Sequence, residues 1–446
     1  MKRVAYVSTD PGVPVFGRKG ASVHVQAVVR DLRRRGSEVH IVAARVGGDL
    51  PRGLDGVIVH ELPRITGTGP EREDSAKASA AAASTVLAAL HHDAPLDLVY
   101  ERYSLWSDAA MAWARAQSVA SVLEVNAPLI DEQAEHRVLV DRSGAEAIAR
   151  RAFDAAGSVI TVSEPVARWV AERTTNEQVH VVPNGVDTQY IRPGLEARPR
   201  TASHLDQRGG ETSPRAASHL DRRAGEARPR TASHLDQRAG EARPRAKGEQ
   251  TPFTIGFVGT LKPWHGIEVL LDAFARVART DDVTRLRLVG DGPQRAAVLD
   301  QAAALGVADR VDLVGAVAAE DIPAELATMD VAVAPYPQLD DFYFSPLKLY
   351  EYLAAGLPVV ASDIGPCSQV LDAGRLGVLV SPGDVTELAA AIVGLRADAQ
   401  LRAELGQAAR EAAETRHDWS LVVDRILATV PTRTRTLSDE LLGSLG

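Results

Sequence analysis

Two lysines, one glutamate and a handful of loop glycines carry most of the chemistry this chain can offer. In the stretch FYFSPLKLYEYLAAGLPVVASD, Phe342 to Asp363, Ser345 reads as a helix N-cap and Pro346 as the first helical residue. That places Lys348 in the first turn and Glu351 one turn further on. A cation there opposes the helix dipole at a cost of roughly 0.3–1 kcal/mol when exposed. The sign reverses if the helix N-terminus, through the backbone of Ser345, Pro346 and Leu347, holds a phosphate that Lys348 also touches. Glu351 would then be placed to accept hydrogen bonds from paired sugar hydroxyls. The plain alternative is a surface helix with an i,i+3 Lys-Glu pair, worth about 0.2–0.5 kcal/mol.

A second lysine stands in a comparable place. The strand-like run IGFVG ends at Gly259, and TLKPWHG then sets Lys262 and His265 in a loop ahead of the helical pattern Ile267, Leu270, Leu271, Phe274. Open α/β sheets bind ligands at this end of their strands. Lys262 as a simple surface charge and Trp264 as a loop anchor are the structural alternatives. Two lysines near two helix N-termini make a pyrophosphate clamp a better reading than either lysine does singly. Near the start, PGVPVFGRKGAS supplies Gly17 and Gly20, where the backbone can approach a ligand closely. Ser22 is placed to cap the helix SVHVQAVVRDLRRRG, whose Val25, Val28, Val29 and Leu32 share a face. The spacing is not GxGxxG, and a loop that merely turns the chain explains these glycines equally well. LVGDGPQ, Leu288 to Gln294, is good turn chemistry with no functional signal of its own.

The elements that must position these residues alternate. Short β-branched runs at Val4–Ser8, Val39–Ala43, Leu98–Tyr100, Val119–Val125, Ser158–Val162 and Val179–Val182 are separated by Ala/Leu/Arg-rich helical stretches. A second series runs through Phe253–Val258, Leu286–Val289, Val311–Val314, Val331–Ala334 and Pro358–Ser362. This is the pattern of parallel sheets flanked by helices, and it predicts an α/β chain of two Rossmann-like domains. Between the two series a fifteen-residue unit centred on ASHLD repeats, with His204, His219 and His234 in equivalent places. Isolated histidines without cysteine partners, set among Pro, Arg, Gly and Glu, read as a hydrophilic, disordered insertion rather than a metal site.

Composition bounds the function. The chain has 446 residues, 45% apolar and 24% charged, enough for two cores, and a net charge of −9 argues against nucleic acid as a partner. One cysteine, Cys367, allows no internal disulfide, and the start MKRVAYVS runs straight into a strand with no signal-peptide pattern. The expectation is a cytoplasmic protein. Arg30, Arg33, Arg34 and Arg35 crowd one helix. A solvated face or a complement to the helix C-terminus accounts for them. The other reading is weak peripheral contact at the inner face of the cytoplasmic membrane.

With these motifs in order, the chain resembles the retaining, nucleotide-sugar-dependent glycosyltransferases of family four, which have the GT-B fold: two Rossmann-like domains facing across a cleft. The resemblance is carried by FGRKGASVHV, VSEPVARWV, VVPNGVDTQYI, GFVGTLKPWHG, LVGDGP and SPLKLYEYLAAGLPVVASD. It implies an acceptor half at 1–190, a linker holding the repeats at 191–250, a nucleotide-sugar half at 251–415, and at 416–446 a tail whose helix, in HDWSLVVDRILATV, crosses back to the first half. It also implies a nucleoside-diphosphate sugar as donor, a saccharide, lipid-linked or small-metabolite acceptor, retention of configuration and no obligatory metal or cofactor. The pairs Asp281-Asp282 and Asp340-Asp341 lack the setting of a metal-binding acidic motif.

Transferred residue by residue, the resemblance meets departures. Of the two glutamates expected at 343 and 351, only Glu351 is present, and Tyr343 holds the other place. Thr260 and His265 stand where an arginine and a lysine are usual, so the work of those cations is assigned to Lys262 and Lys348. Asn126, in LEVNAP, replaces a frequent histidine and can hydrogen-bond a donor sugar hydroxyl without acting as a charged acid or base. Lys262, Lys348 and Asn126 are thus the expected catalytic residues. Gly17, Gly20, Gly259, His265, Ser345, Pro346, Leu347 and Glu351 are expected to bind the donor. A GT-B nucleotide-sugar epimerase and a non-catalytic sugar-nucleotide-binding protein are the alternative functions.

Overall fold

The computed structural model describes residues 2–194, 252–339, 342–343 and 345–431. The histidine-bearing repeats and Asp340-Asp341 lie outside them. The first half runs β1 (Arg3–Ser8), α1 (Gly20–Arg34), β2 (Glu38–Ala43), β3 (Ile58–Glu61), α2 (Gly69–Asp93), β4 (Leu98–Arg102), α3 (Ala109–Ala116), β5 (Ala120–Val125), α4 (Leu129–His136), α5 (Arg142–Ala155), β6 (Ser158–Thr161), α6 (Glu164–Ala171) and β7 (Val179–Val181). The second runs β8 (Thr254–Val258), α7 (Ile267–Ala278), β9 (Arg285–Val289), α8 (Arg295–Ala304), β10 (Val311–Gly315), α9 (Ile322–Leu326), β11 (Val331–Ala334), α10 (Leu347–Ala354), β12 (Val359–Ser362), α11 (Cys367–Val370), β13 (Val378–Val380), α12 (Val385–Ala397) and α13 (Ala399–Ala412), and the chain then enters α14 (Trp419–Ala428).

Each half is one parallel sheet. The strand orders are β3-β2-β1-β4-β5-β6-β7 and β10-β9-β8-β11-β12-β13. The central strands are nearly continuous apolar runs because helices cover both faces. In β1, Ala5 and Val7 enter the core that holds Leu87, Met111 and Phe153, while Val4 and Tyr6 enter the core that holds Val25, Val29 and Trp419. The two strands not anticipated from sequence, β3 and β13, are short edge strands with half-exposed residues. Their apolar runs, residues 57–59 and Val378–Val380, are short.

Two chain crossings join the halves side by side. Val186 N donates to His417 O at 2.8 Å and Trp419 N to Val186 O at 3.0 Å. Arg410, on α13, binds the carbonyls of Thr188, Ile191 and Ala354 at 2.7–2.9 Å. After a π-helical turn at Ala413–His417, Asp418 caps α14 through Ser420 N at 2.9 Å, and the helix packs Trp419, Val422, Val423 and Ile426 into the core of the first half.

The arginines of α1 are occupied internally. Arg30 and Arg33 bind the carbonyls of Arg52, Asp55 and Gly56, Arg34 pairs with Asp187, and Arg35 pairs with Asp31 and Asp424. They hold loops and α14 against α1, which accounts for the cluster structurally. Among the described residues no helix is long and apolar enough to cross a membrane.

Candidate functional site

Strand order changes direction between β1 and β4 in the first sheet and between β8 and β11 in the second. Loops leaving the carboxyl ends of such strands part to opposite faces and leave a crevice, the usual ligand position in open α/β sheets. The Gly17–Gly20 loop leaves β1, the Gly259–Gly266 loop leaves β8, and the segment leading to Lys348 leaves β11. The sequence-predicted residues therefore gather at the two switch points, except Asn126, which follows β5, one strand beyond β4.

In the second half, Lys348 lies in the first turn of α10 and is 8% exposed. Its Nζ sits 4.3 Å from the Phe257 ring centroid and 5.0 Å from that of Tyr336, with no hydrogen-bond partner among the described residues. Burial pulls the ammonium down to about 7, against smaller opposing effects of Cys367 and Glu351. Gly259 has φ +151°, and a Cβ there would stand 3.2 Å from Lys348 Nζ, so the ammonium lies directly against the loop backbone. That approach needs glycine twice over, for conformation and for space.

The GDG turn, read from sequence as turn chemistry alone, braces this loop. Gly290, at φ +141°, packs against Gly259 O, and Leu261 N donates to Asp291 O at 3.0 Å. Only the missing side chain at 290 allows the two loops to touch; LVGDGP was the available signal.

Lys262 precedes a short 3-10 turn, Pro263–His265, with its Nζ 5.2 Å from the Trp264 centroid. His265 shares Nδ1 with Thr260 O, which makes Nδ1–H the donor and leaves Nε2 as an acceptor. Burial, then the charge of Lys348, then that of Lys262 pull His265 down to about 3, with the Thr260 hydrogen bond opposing. The imidazole is neutral at working pH and lies within electrostatic reach of both lysines. Glu351, partly buried on the next turn of α10, is pushed up to about 7 by burial, with Lys348 opposing.

Two local expectations need correction. Helix α10 starts at Leu347 with Pro346 in the cap position, and Ser345 makes no capping bond. Proline has no N–H to lose, but at the cap its ψ of 82° also turns the chain, moving Ser345 outside the helix. Helix α1 starts at Gly20 with Lys19 at the cap, so Ser22 is buried within it. Gly17 is held by Gln26 Nε2 on its carbonyl at 2.8 Å, and a Cβ there would strike Pro14 and Ser22. Packing explains Gly17. Gly20 faces the other half, where a Cβ would lie 3.1 Å from Leu347 Cδ1.

In the first half, Asn126 follows β5. Its Nδ2 donates to Glu124 Oε1 at 3.2 Å, leaving Oδ1 buried with no partner among the described residues. Glu124 is fixed by His24 at 2.6 Å and the Tyr100 hydroxyl at 2.7 Å. Burial alone would raise Glu124, but His24, Arg102 and Tyr100 outweigh it and hold the carboxylate at about 2. An ionised, acceptor-only neighbour dictates that Asn126 turns its amide toward Glu124, which leaves the buried carbonyl unpaired. Sequence reasoning missed this support. The signals were an acid inside the strand LEV and a histidine among the valines of SVHV.

Two concavities, of about 420 and 570 Å³, lie away from the switch points, at the amino ends of β8–β10 and between α6 and β7. In the first, Arg285, Arg287 and Arg310 are bound to carbonyls and carboxylates of the protein itself, so it offers no cation to a ligand. Asp281 is used on Thr284, Val283 N and Arg396.

Comparison with known proteins agrees with the topology. The chain aligns over its whole length with the structure of a sucrose-phosphate synthase from Thermosynechococcus elongatus, covering all of both chains at 17% identity and a TM-score of 0.65. The fold is GT-B. A second GT-B structure, Anabaena Alr3699/HepE in complex with UDP-glucose, matches 96% of this chain and 99% of its own, at 20% identity and a TM-score of 0.62. Residues 18–190 match the model of the family described as Glycosyltransferase Family 4, and residues 252–398 match Glycosyl transferases group 1. A phosphatidyl-myo-inositol mannosyltransferase of Mycobacterium leprae is 34% identical over 180 residues, 40% of this chain and 46% of the relative. The chain spans less than half the length of the curated relatives it matches.

Proposed function

We propose that the protein is a glycosyltransferase that moves a sugar from a nucleoside-diphosphate sugar to an acceptor hydroxyl with retention of configuration. The carrying observation is the buried, unpartnered ammonium of Lys348 against the Gly259 backbone at a switch point. A charge so placed is expensive unless an anion completes it. Glycosyltransferase family matches in both halves, and a UDP-glucose complex among the GT-B neighbours, support a diphosphate as that anion.

In this reading Lys348, Lys262 and the first turn of α10 hold the diphosphate and stabilise the negative charge that grows as it leaves. Preorganised charges do this without reorganising during the reaction. His265 offers a neutral acceptor at Nε2, Glu351 receives the ribose hydroxyls, and the unpaired carbonyl of Asn126 takes a hydroxyl of the donor sugar. With the lysines and helix amides meeting the diphosphate, no obligatory metal is invoked. Retention follows the family resemblance and the arrival of the acceptor on the leaving-group face.

The test is Lys348→Ala, assayed with UDP- and GDP-sugars. Turnover is expected to fall about 10–1000-fold, as on losing one preorganised donor of an oxyanion site. Wild-type rates in the variant would remove the assignment. Donor binding by the unaltered protein, with no transfer to any saccharide or lipid acceptor, would favour a non-catalytic binding protein.

A further inference from the structure

Adjacent residues ahead of α10 anchor to opposite halves of the molecule. Phe342 is buried in the second half, its ring 4.8 Å from that of Tyr336. Tyr343 turns the other way: its ring packs on the core of the first half, and its hydroxyl donates to Glu132 on α4. Its carbonyl accepts from Ser163 Oγ at 2.8 Å. Ser163 occupies the N-cap position of α6 yet makes no capping bond, its hydroxyl being committed to Tyr343 instead. Four residues on, Leu347 lies over Gly20 at the start of α1. The stretch that delivers Lys348 is thus tied to α1, α4 and α6.

Helix α4 is itself held from behind, since Asp131 accepts from Trp169 Nε1 at 2.6 Å and from Arg142. Its neighbour Glu132 is left to meet Tyr343, and the loop entering α4 carries Asn126. One tyrosine therefore links the element presenting Asn126 to the element presenting Lys348. A rigid helix gripped at both sides transmits register in a way a mobile loop does not.

We propose that Tyr343 is a positioning residue, a latch between the halves that sets Lys348 and Asn126 in register and couples closure to assembly of the site. This rests on the transferase reading for its consequence in turnover, and on the interdomain contacts alone for its consequence in shape.

The experiment uses the full chain and four variants: Tyr343→Phe, Glu132→Ala, Glu132→Gln and the double Tyr343→Phe/Glu132→Ala. UDP affinity is measured by calorimetry, UDP-glucose turnover by product release, and unliganded shape by small-angle scattering. Losing a hydrogen bond to a carboxylate is expected to lower turnover about tenfold or more while UDP affinity stays within about twofold, because UDP meets chiefly the second half. Scattering should show a larger radius of gyration in Tyr343→Phe and Glu132→Ala. The double variant should be no worse than either single one, as for two partners of one interaction. Glu132→Gln should keep most of the function, since its amide oxygen still accepts from the tyrosine. Wild-type turnover and scattering in Tyr343→Phe, or additive losses in the double variant, would overturn the latch. If the unaltered protein binds neither UDP nor GDP and acts on none of their sugars, the transferase reading is at fault, and scattering of the variants still decides the latch.

Discussion

A buried ammonium without a partner is tolerated only where something returns to it, and Lys348 carries a titration consequence that can be measured. In the free protein burial brings it to about 7, and Glu351, one turn away, is raised to about 7, so the two titrate as a coupled pair. A diphosphate beside Lys348 would restore its charge and raise its proton affinity. Binding should then take up protons above pH 7, and UDP affinity should fall by up to about tenfold per pH unit until the bound lysine also titrates. Calorimetry in buffers of different ionisation enthalpy reads this directly; no proton uptake at pH 8 would contradict it. The stability signs follow from the same shifts. Glu351, raised in the folded state, makes the free protein lose stability as pH rises from its ordinary value toward 7. Lys348, lowered in the folded state, makes it gain stability as pH rises from 7 toward the ordinary lysine value.

At the scale of elements, the site depends on where helices begin and which helices cross. Starting α10 at Leu347 rather than Pro346 brings Lys348 closer to the helix end, where exposed amides and the dipole act most strongly. Helix α14 fastens the end of the second half to the first. Trp419, 6% exposed, meets His24 edge-on with ring centroids 4.8 Å apart. Trp419→Ala is expected to cost about 3–5 kcal/mol, as for other large-to-small core changes, seen as a lower midpoint in urea unfolding. Because His24 fixes Glu124, and Glu124 fixes Asn126, this variant should also weaken turnover at temperatures where it remains folded. A loss below about 1 kcal/mol would show that α14 docks without needing the indole.

For the whole molecule, the paired crossings at Val186 and His417–Trp419 and the Arg410 contacts make one framework from two sheets. The repeats between the series are hydrophilic in sequence and lie outside the described residues, so their contribution is argued from composition alone. Deleting residues 201–246 should leave folding and turnover within about twofold, checked by circular dichroism and the UDP-glucose assay, because a segment so poor in apolar residues has little surface to bury. Loss of folded protein on deletion would refute this.

The central strands were legible in the sequence because a parallel strand covered on both faces is a local apolar run, and burial of that run needs no knowledge of its neighbours. In the edge strands β3 and β13 the apolar run is only about three residues, 57–59 and Val378–Val380, and is too short to stand out. The loops bearing Lys262 and Lys348 were legible for a similar reason: residues just past a parallel strand must emerge at its carboxyl end, wherever the strand pairs.

The sequence by itself determined the two sheets, the switch-point loops and the cations and glycines on them. Only the tertiary structure decided that Lys348 loses its water between Phe257 and Tyr336, that His265 is held neutral, that Glu124 orients Asn126, and that Tyr343 finds Glu132, 211 residues away. Desolvation and long-range pairing are properties of everything packed around a group, and no local spacing encodes them.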